Sequence, residues 1–283
     1  MWKETYRIGY ELVDEQHKTL FDTAVIMKEI LGNAEQPDYV DKITDRIVFL
    51  KGYCLNHFKD EEEYQKNVGF EGYPEHKKKH DKLVRDVLAY EKELVATNFS
   101  EETVGKFFGF LTTWLIYHVC GEDQQIPKRK AEPTAEKSDI NIADHLQVSI
   151  KKVINILASV PEKTIILVVC NERRKSTGIG FHSVVTGASG NKNVGIVYSD
   201  KIAFGILNAM TGVSVHEMNV MVHSAMQEVS GIISAHIAGL LSKTTGSDYE
   251  AATPEMVQME TLPSVSQSFY VRTTLGDMEV FIY

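Results

Sequence analysis

The sequence predicts two folds in tandem: an all-α, up-and-down four-helix bundle, then an α+β domain with a largely antiparallel sheet and long helices. Three observations carry this. Apolar residues recur at helical spacing through most of the first ~120 residues. A stretch with two prolines and many charges follows at 124–139. Beyond it, strand-sized apolar runs bounded by turn residues are segregated from helical patterns. At 283 residues the chain is long enough for each part to bury its own core.

The first helix is expected from Asp14 to Leu31, on Leu20, Phe21, Ala24, Ile26, Met27 and Ile30, and Gly32-Asn33 ends it. Asp38 to Lys66 reads as a second, with Ile43, Ile47, Leu50, Cys54, His57, Phe58 and Glu61 on one broad face. The run Gly-Phe-Glu-Gly-Tyr-Pro at 69–74 breaks it. Pro74 suits the first turn of a third helix running through Glu75 to Ala96. Ser100-x-Glu102 opens the fourth, whose apolar face carries Val104, Phe107, Phe108, Leu111, Leu115, His118 and Val119. Short connections between four helices predict antiparallel neighbours.

A net charge of −9 argues against a nucleic-acid binder driven by phosphate contacts and against a polybasic membrane anchor. No apolar run reaches a membrane span, and the N-terminus lacks the apolar core of a secretory signal. Cys54, Cys120 and Cys170 are too few and too scattered for a disulfide framework, which points to a reducing, cytoplasmic setting.

The histidines give the first half its chemistry. His57-x-x-x-Glu61 and His76-x-x-x-His80 each place two side chains on one helical face, a turn apart. His17 falls on the first helix and His118 on the fourth, and Asp123 lies five residues further, past Gly121. Any one buried histidine is ordinary. Five with two carboxylates on four facing helices are not, because burying them uncompensated costs several kcal/mol each. A metal compensates them. Without cysteine the set does not suit structural zinc, and seven donors exceed one tetrahedral ion. Imidazole mixed with carboxylate suits iron, among others. If Glu61 and Asp123 bridge two ions together with a hydroxide or oxide, one octahedral position stays open.

The series Asp14-x-Gln16-His17, His57-Phe58-x-x-Glu61-Glu62, His76-x-x-x-His80 and Trp114-Leu115-x-x-His118-x-x-x-x-Asp123 resembles the bacterial hemerythrin family over residues 1–127. The resemblance implies a non-haem di-iron centre that binds O₂ at one iron. It implies His76, His80 and His118 on the coordinatively full iron and His17 and His57 on the open one, with Glu61 and Asp123 bridging. Leu20, Trp114, Leu115 and Val119 match the family's apolar O₂ pocket. The nitrogen-rich set differs from the carboxylate-rich centres of oxygen-activating di-iron enzymes, and so favours reversible binding. Peroxide or nitric-oxide chemistry is the alternative.

After the linker, placed at 128–139, a domain is expected over 140–283. Ile142–Ala158 is an amphipathic helix and Lys163–Cys170 a strand; further strands fall at Gly178–Thr186 and Asn193–Tyr198. Helices follow at Ile202–Met210 and Val215–Ser242. Ser268–Thr273 and Glu279–Tyr283 form a hairpin around Leu-Gly-Asp. Gly195-Ile-Val-Tyr198, Ala203-x-x-x-Leu207-x-x-Met210-x-Gly212 and Ser224-x-x-x-Glu228 resemble the CheX-like branch of the chemotaxis phosphatases. That resemblance implies docking to a phosphorylated receiver domain, with Glu228 as the catalytic residue that engages the receiver's active site. However, Gly231 stands where the family's water-orienting Asn belongs. Docking without hydrolysis, or homodimerisation through this domain, is therefore expected over phosphatase activity. His145, His182, His216, His223 and His236 share no ligand pattern. Together the halves predict an O₂ or redox sensor, with storage or detoxification as the alternative.

Overall fold

The computed structural model describes residues 1–128, 142–173, 178–265 and 267–283. The chain divides into two compact units, Met1–Thr134 and Ala135–Tyr283. The expected linker lies, from residue 129 on, outside the described residues.

The first unit contains α1 (Glu11–Leu31), α2 (Tyr39–Asn67), α3 (Tyr73–Ala96) and α4 (Glu101–Tyr117). α1 begins three residues before the expected Asp14. The buried Asp14 carboxylate does not open the helix but accepts the Ile8 and Gly9 backbone N–H groups at 2.7 and 3.1 Å, tying the N-terminal segment to α1. Pro74 sits in the first turn of α3, where its missing N–H costs nothing. Ser100 caps α4, its hydroxyl accepting the Thr103 N–H. Phe21, Met27, Ile43, Leu83, Leu94, Phe107 and Phe108 are fully buried. They come from all four helices, so one core holds the bundle.

The helix after Tyr117 changes character. His118–Glu122 is a turn of π-helix, in which the Asp123 N–H donates to the His118 carbonyl. Asp123–Lys128 continues as 3₁₀-helix.

The second unit contains α5 (Ile142–Ala158), β1 (Ile166–Cys170), β2 (Ile179–Gly187), β3 (Lys192–Tyr198), α6 (Asp200–Thr211) and α7 (Val220–Thr245). After these come β4 (Tyr249–Ala251), β5 (Glu255–Val257), β6 (Ser268–Thr273) and β7 (Gly276–Ile282). The sheet runs β1-β6-β7-β3-β2-β4, with β5 also on β2, and every pairing is antiparallel. α6 and α7 pack on β7, β3 and β2, and the Tyr198 hydroxyl is 2.9 Å from Ser230 Oγ of α7. On the opposite face, Val197 and Phe281 are covered by Leu262, with Val257, Met259 and Val265 around them.

Three expected boundaries move. The strand expected from Lys163 starts at Ile166, because a 3₁₀ turn at Glu162–Thr164 precedes it. The long helix starts at Val220 rather than Val215, since Asn219 caps it through Val222 N–H. The last strand starts at Gly276, three residues before Glu279. Strands β4 and β5 had no counterpart in the pattern. They are two three-residue edges on either side of Pro254, too short to show alternation.

The glycine and apolar motif of this unit is structural. A Cβ at Gly195 would lie 2.2 Å from the Phe281 ring, and Gly212 ends α6 at φ 67°, a conformation that favours glycine. Ala203, Leu207 and Met210 are buried.

Candidate metal centre

Each bundle helix delivers its histidine to one interior. His17 (α1), His57 and Glu61 (α2), His76 and His80 (α3), His118 and Asp123 all have relative exposures of 0–3%. The i, i+4 pairs on α2 and α3 place two donors each on one inward face, and the π turn brings Asp123 back toward His118.

The donor atoms fall into two groups that share a residue. Glu61, His76, His80 and His118 offer ligand atoms all within 4.8 Å of one another, and so do His17, His57 and Glu61. The two carboxylates divide their oxygens accordingly. Glu61 Oε1 is 2.8 Å from His76 Nε2, and Glu61 Oε2 is 3.3 Å from His57 Nε2. Asp123 Oδ1 lies 3.3 Å from His76 Nε2 and 3.2 Å from His118 Nε2, while Oδ2 lies 3.2 Å from His17 Nε2. The Nε2 atoms of His80 and His118 approach to 2.9 Å.

These atoms fit a metal. His17 Nε2, His76 Nε2, Glu61 Oε2 and both Asp123 oxygens are buried without a hydrogen-bond partner, a costly state that a cation relieves. The electrostatics of the donor cluster agree with this. Burial pushes the Asp123 carboxyl well above the ordinary range, and the neighbouring Glu61 charge adds to it. Burial also acts to raise Glu61, but the imidazoles of His17, His57 and His76 hold it well below. Burial keeps His57, His80 and His118 below the usual imidazole value, hence neutral and ready to coordinate. His76 is raised: burial lowers it, and the Glu61 and Asp123 carboxylates more than offset that.

Behind the donors lie residues that spacing alone did not single out. The His57 Nδ1–H donates to Gln16 Oε1 at 3.1 Å, and Gln16 Nε2 donates to Asp60 at 2.6 Å. The His80 Nδ1–H donates to Glu62 at 3.2 Å, and Gln65 Nε2 donates to Glu61 at 2.5 Å. Gln16 and Glu62 stood in the sequence motifs that carry the family resemblance, with no role assigned to them, while Gln65, one turn past Glu61, had adjacency to a ligand as its signal.

Of the expected apolar pocket, Leu20, Leu115 and Val119 are buried and Trp114 is half-buried. Trp114 stacks on His118 with ring centroids 4.2 Å apart and meets Phe58 at 6.1 Å, so it shields the three-histidine group. In the second unit Ser224 is buried and Glu228 half-buried on α7.

The family description "Hemerythrin HHE cation binding domain" matches residues 8–127. A bacteriohemerythrin of Clostridium acetobutylicum is 30% identical over 125 residues, 44% of this chain and 96% of that protein. One from Pseudomonas paraeruginosa is 28% identical over 123 residues, 44% of this chain and 76% of that protein. Among solved structures, the chemotaxis protein CheX of Vibrio vulnificus is similar at 18% identity and a TM-score of 0.43, over 50% of this chain and 98% of its own. No helix among the described residues is long and apolar enough to cross a membrane. Through its N-terminal bundle, with a histidine- and carboxylate-lined cation site, the chain belongs to the hemerythrin family.

Proposed function

We propose that residues 1–127 hold two iron ions and bind O₂ reversibly, and that the domain at 140–283 carries this state to a signalling partner. The observation that carries the reading is the shared carboxylate. Glu61 belongs to both donor groups, and Glu61 and Asp123 each turn one oxygen to either group. His76, His80 and His118 would hold one iron, and His17 and His57 the other, with Glu61 and Asp123 between them. The pair, when bound, supplies the two electrons needed to hold O₂. The chain's own part is to fix the ligands, keep the imidazoles of His57, His80 and His118 neutral by burial, and exclude water with Leu20, Leu115 and Val119, while Trp114 covers His118. Anaerobic loading with ferrous iron, then optical titration with O₂ and back, tests this. Fewer than two irons per chain, or a spectrum that His57→Ala leaves unchanged, would refute it.

The output is read as docking to a receiver domain rather than hydrolysis. The Ser224-x-x-x-Glu228 pattern supports docking, and Gly231 removes the amide that hydrolysis would need. O₂ transmits a signal only if it binds one arrangement of the output better than another. Receiver affinity measured for the diferrous, oxygenated and diferric forms should therefore differ. Phosphate release from an acyl-phosphorylated receiver that disappears in Glu228→Ala would establish the phosphatase alternative.

Association of two copies has its own support. Among the described residues strand β1 pairs with β6 alone and exposes Ile166 (59%), Val168 (42%) and Val169 (38%), so its outer edge is a template for another strand. Val168→Lys should then lower the mass measured by light scattering.

A further inference from the structure

Two hydrogen bonds behind the donor cluster differ in kind. His80 gives its Nδ1–H to the carboxylate of Glu62, and His57 gives its Nδ1–H to the neutral amide of Gln16. The first imidazole belongs to the three-histidine group and the second to the two-histidine group. A carboxylate draws the ring proton toward itself, so the opposite nitrogen becomes a stronger donor; an amide oxygen does this far less. Stronger donation favours the more highly charged metal ion.

The settings reinforce the difference. Glu62 lines a cleft of about 460 Å³ together with Phe58, His80, Lys77 and Asp81. Tyr73 Oη is 3.5 Å and Lys77 Nζ 4.0 Å from the Glu62 carboxylate. Phe58 lies flat on His80, centroids 4.0 Å apart and planes within 10°, which holds the ring in line with Glu62. Behind His57 Nδ1, the carboxylate of Asp60 stands at one remove, bonded through Gln16.

Resting on the two-iron reading above, we propose that Glu62 and Gln16 are positioning residues that make the two metals unequal. Glu62 biases the His76/His80/His118 position toward ferric iron and tighter binding. Gln16 leaves the His17/His57 position easier to reduce. When the diferric protein takes one electron from dithionite, one ferric ion becomes ferrous, no bond to the protein breaks, and the ferrous ion sits at the two-histidine position.

The test uses full-length Glu62→Gln, Gln16→Glu and the double swap, each checked for unchanged helicity by circular dichroism. Cobalt titration against a competing chelator reads affinity, and Mössbauer spectra during a redox titration with ⁵⁷Fe read the order of reduction. Glu62→Gln should weaken one of two cobalt positions by about 10–100-fold and raise the reduction potential of one iron, leaving the other unmoved. Gln16→Glu should tighten the other position and lower its potential, and the double swap should reverse the order of reduction. If wild type and variants hold two irons but both potentials move together, or neither moves, the proposal is overturned. If wild type never holds two irons, it is the two-iron reading that has failed.

Discussion

His118 Nε2 stands 3.2 Å from Asp123 Oδ1, although five residues along a regular α-helix would separate the two side chains by more than a third of a turn. The π turn at His118–Glu122 removes that offset. Such single turns cost helix regularity and occur mostly where a side chain must be aimed. The Gln124 amide secures the segment by donating to the Tyr6 carbonyl at 2.6 Å. On the two-iron proposal, Asp123→Ala should therefore leave the helices intact, by circular dichroism, while the iron held per chain falls to one or less. The loss of affinity should exceed the ~10–100-fold typical of residues that only support a ligand.

Much of this centre could be read before folding, and the reason is geometric. His57/Glu61 and His76/His80 are one turn apart, so helical periodicity alone puts each pair on one face. The pairing of Asp123 with His118 was legible only as proximity in sequence, because a π turn leaves no periodic trace. Gln16 and Glu62 act through hydrogen bonds to Nδ1 atoms, and which neighbour of a ligand turns inward depends on tertiary packing. In the second unit the long amphipathic helices showed clearly. The edges β4 and β5 did not, since Pro254 interrupts them and three residues carry no alternation. Residues 215–219 were expected in the long helix, yet Asn219 caps it and α7 begins at Val220.

Metal uptake should release protons. Burial raises Asp123 well above its ordinary value of 3.8, and the carboxylates raise His76 above 6.5. Both therefore keep protons at pH values where free side chains would have shed them. Coordination requires the carboxylate and the neutral imidazole. Proton and metal compete, so affinity falls as pH falls, by about tenfold per pH unit for each proton displaced. A pH indicator in weakly buffered solution should report acidification on adding zinc to the metal-free protein. Asp123→Asn, which has no such proton, should release fewer.

The cysteines near the centre should be inert. Burial pushes the Cys54 thiol up to about 12, and burial with the Asp123 charge does the same for Cys120. Since the thiolate is the nucleophile, neither should react at pH 7.5. Cys170, on the exposed edge strand β1, should alkylate first. Mass spectrometry after brief iodoacetamide treatment of the native protein should find the label on Cys170, and on all three only after unfolding in urea.

Two glycines of the second unit should respond oppositely to the same methyl group. At Gly195 the new Cβ would overlap the Phe281 ring at 2.2 Å, and Phe281 is fully buried between neighbouring strands. Overpacking of this sort costs about 1–3 kcal/mol. At Gly231 the Cβ would meet, among the described residues, the Pro254 ring at 3.6 and 3.9 Å, ordinary contacts. The helix there should gain up to ~1 kcal/mol when glycine becomes alanine. Close packing therefore does not explain why Gly231 is glycine, and the position has room for the side-chain carbon an Asn would bring. Urea unfolding of Gly195→Ala should show a lower midpoint and Gly231→Ala a higher one. Gly231→Asn should fold at least as well as the parent, which makes it a fair probe for phosphate release from a receiver.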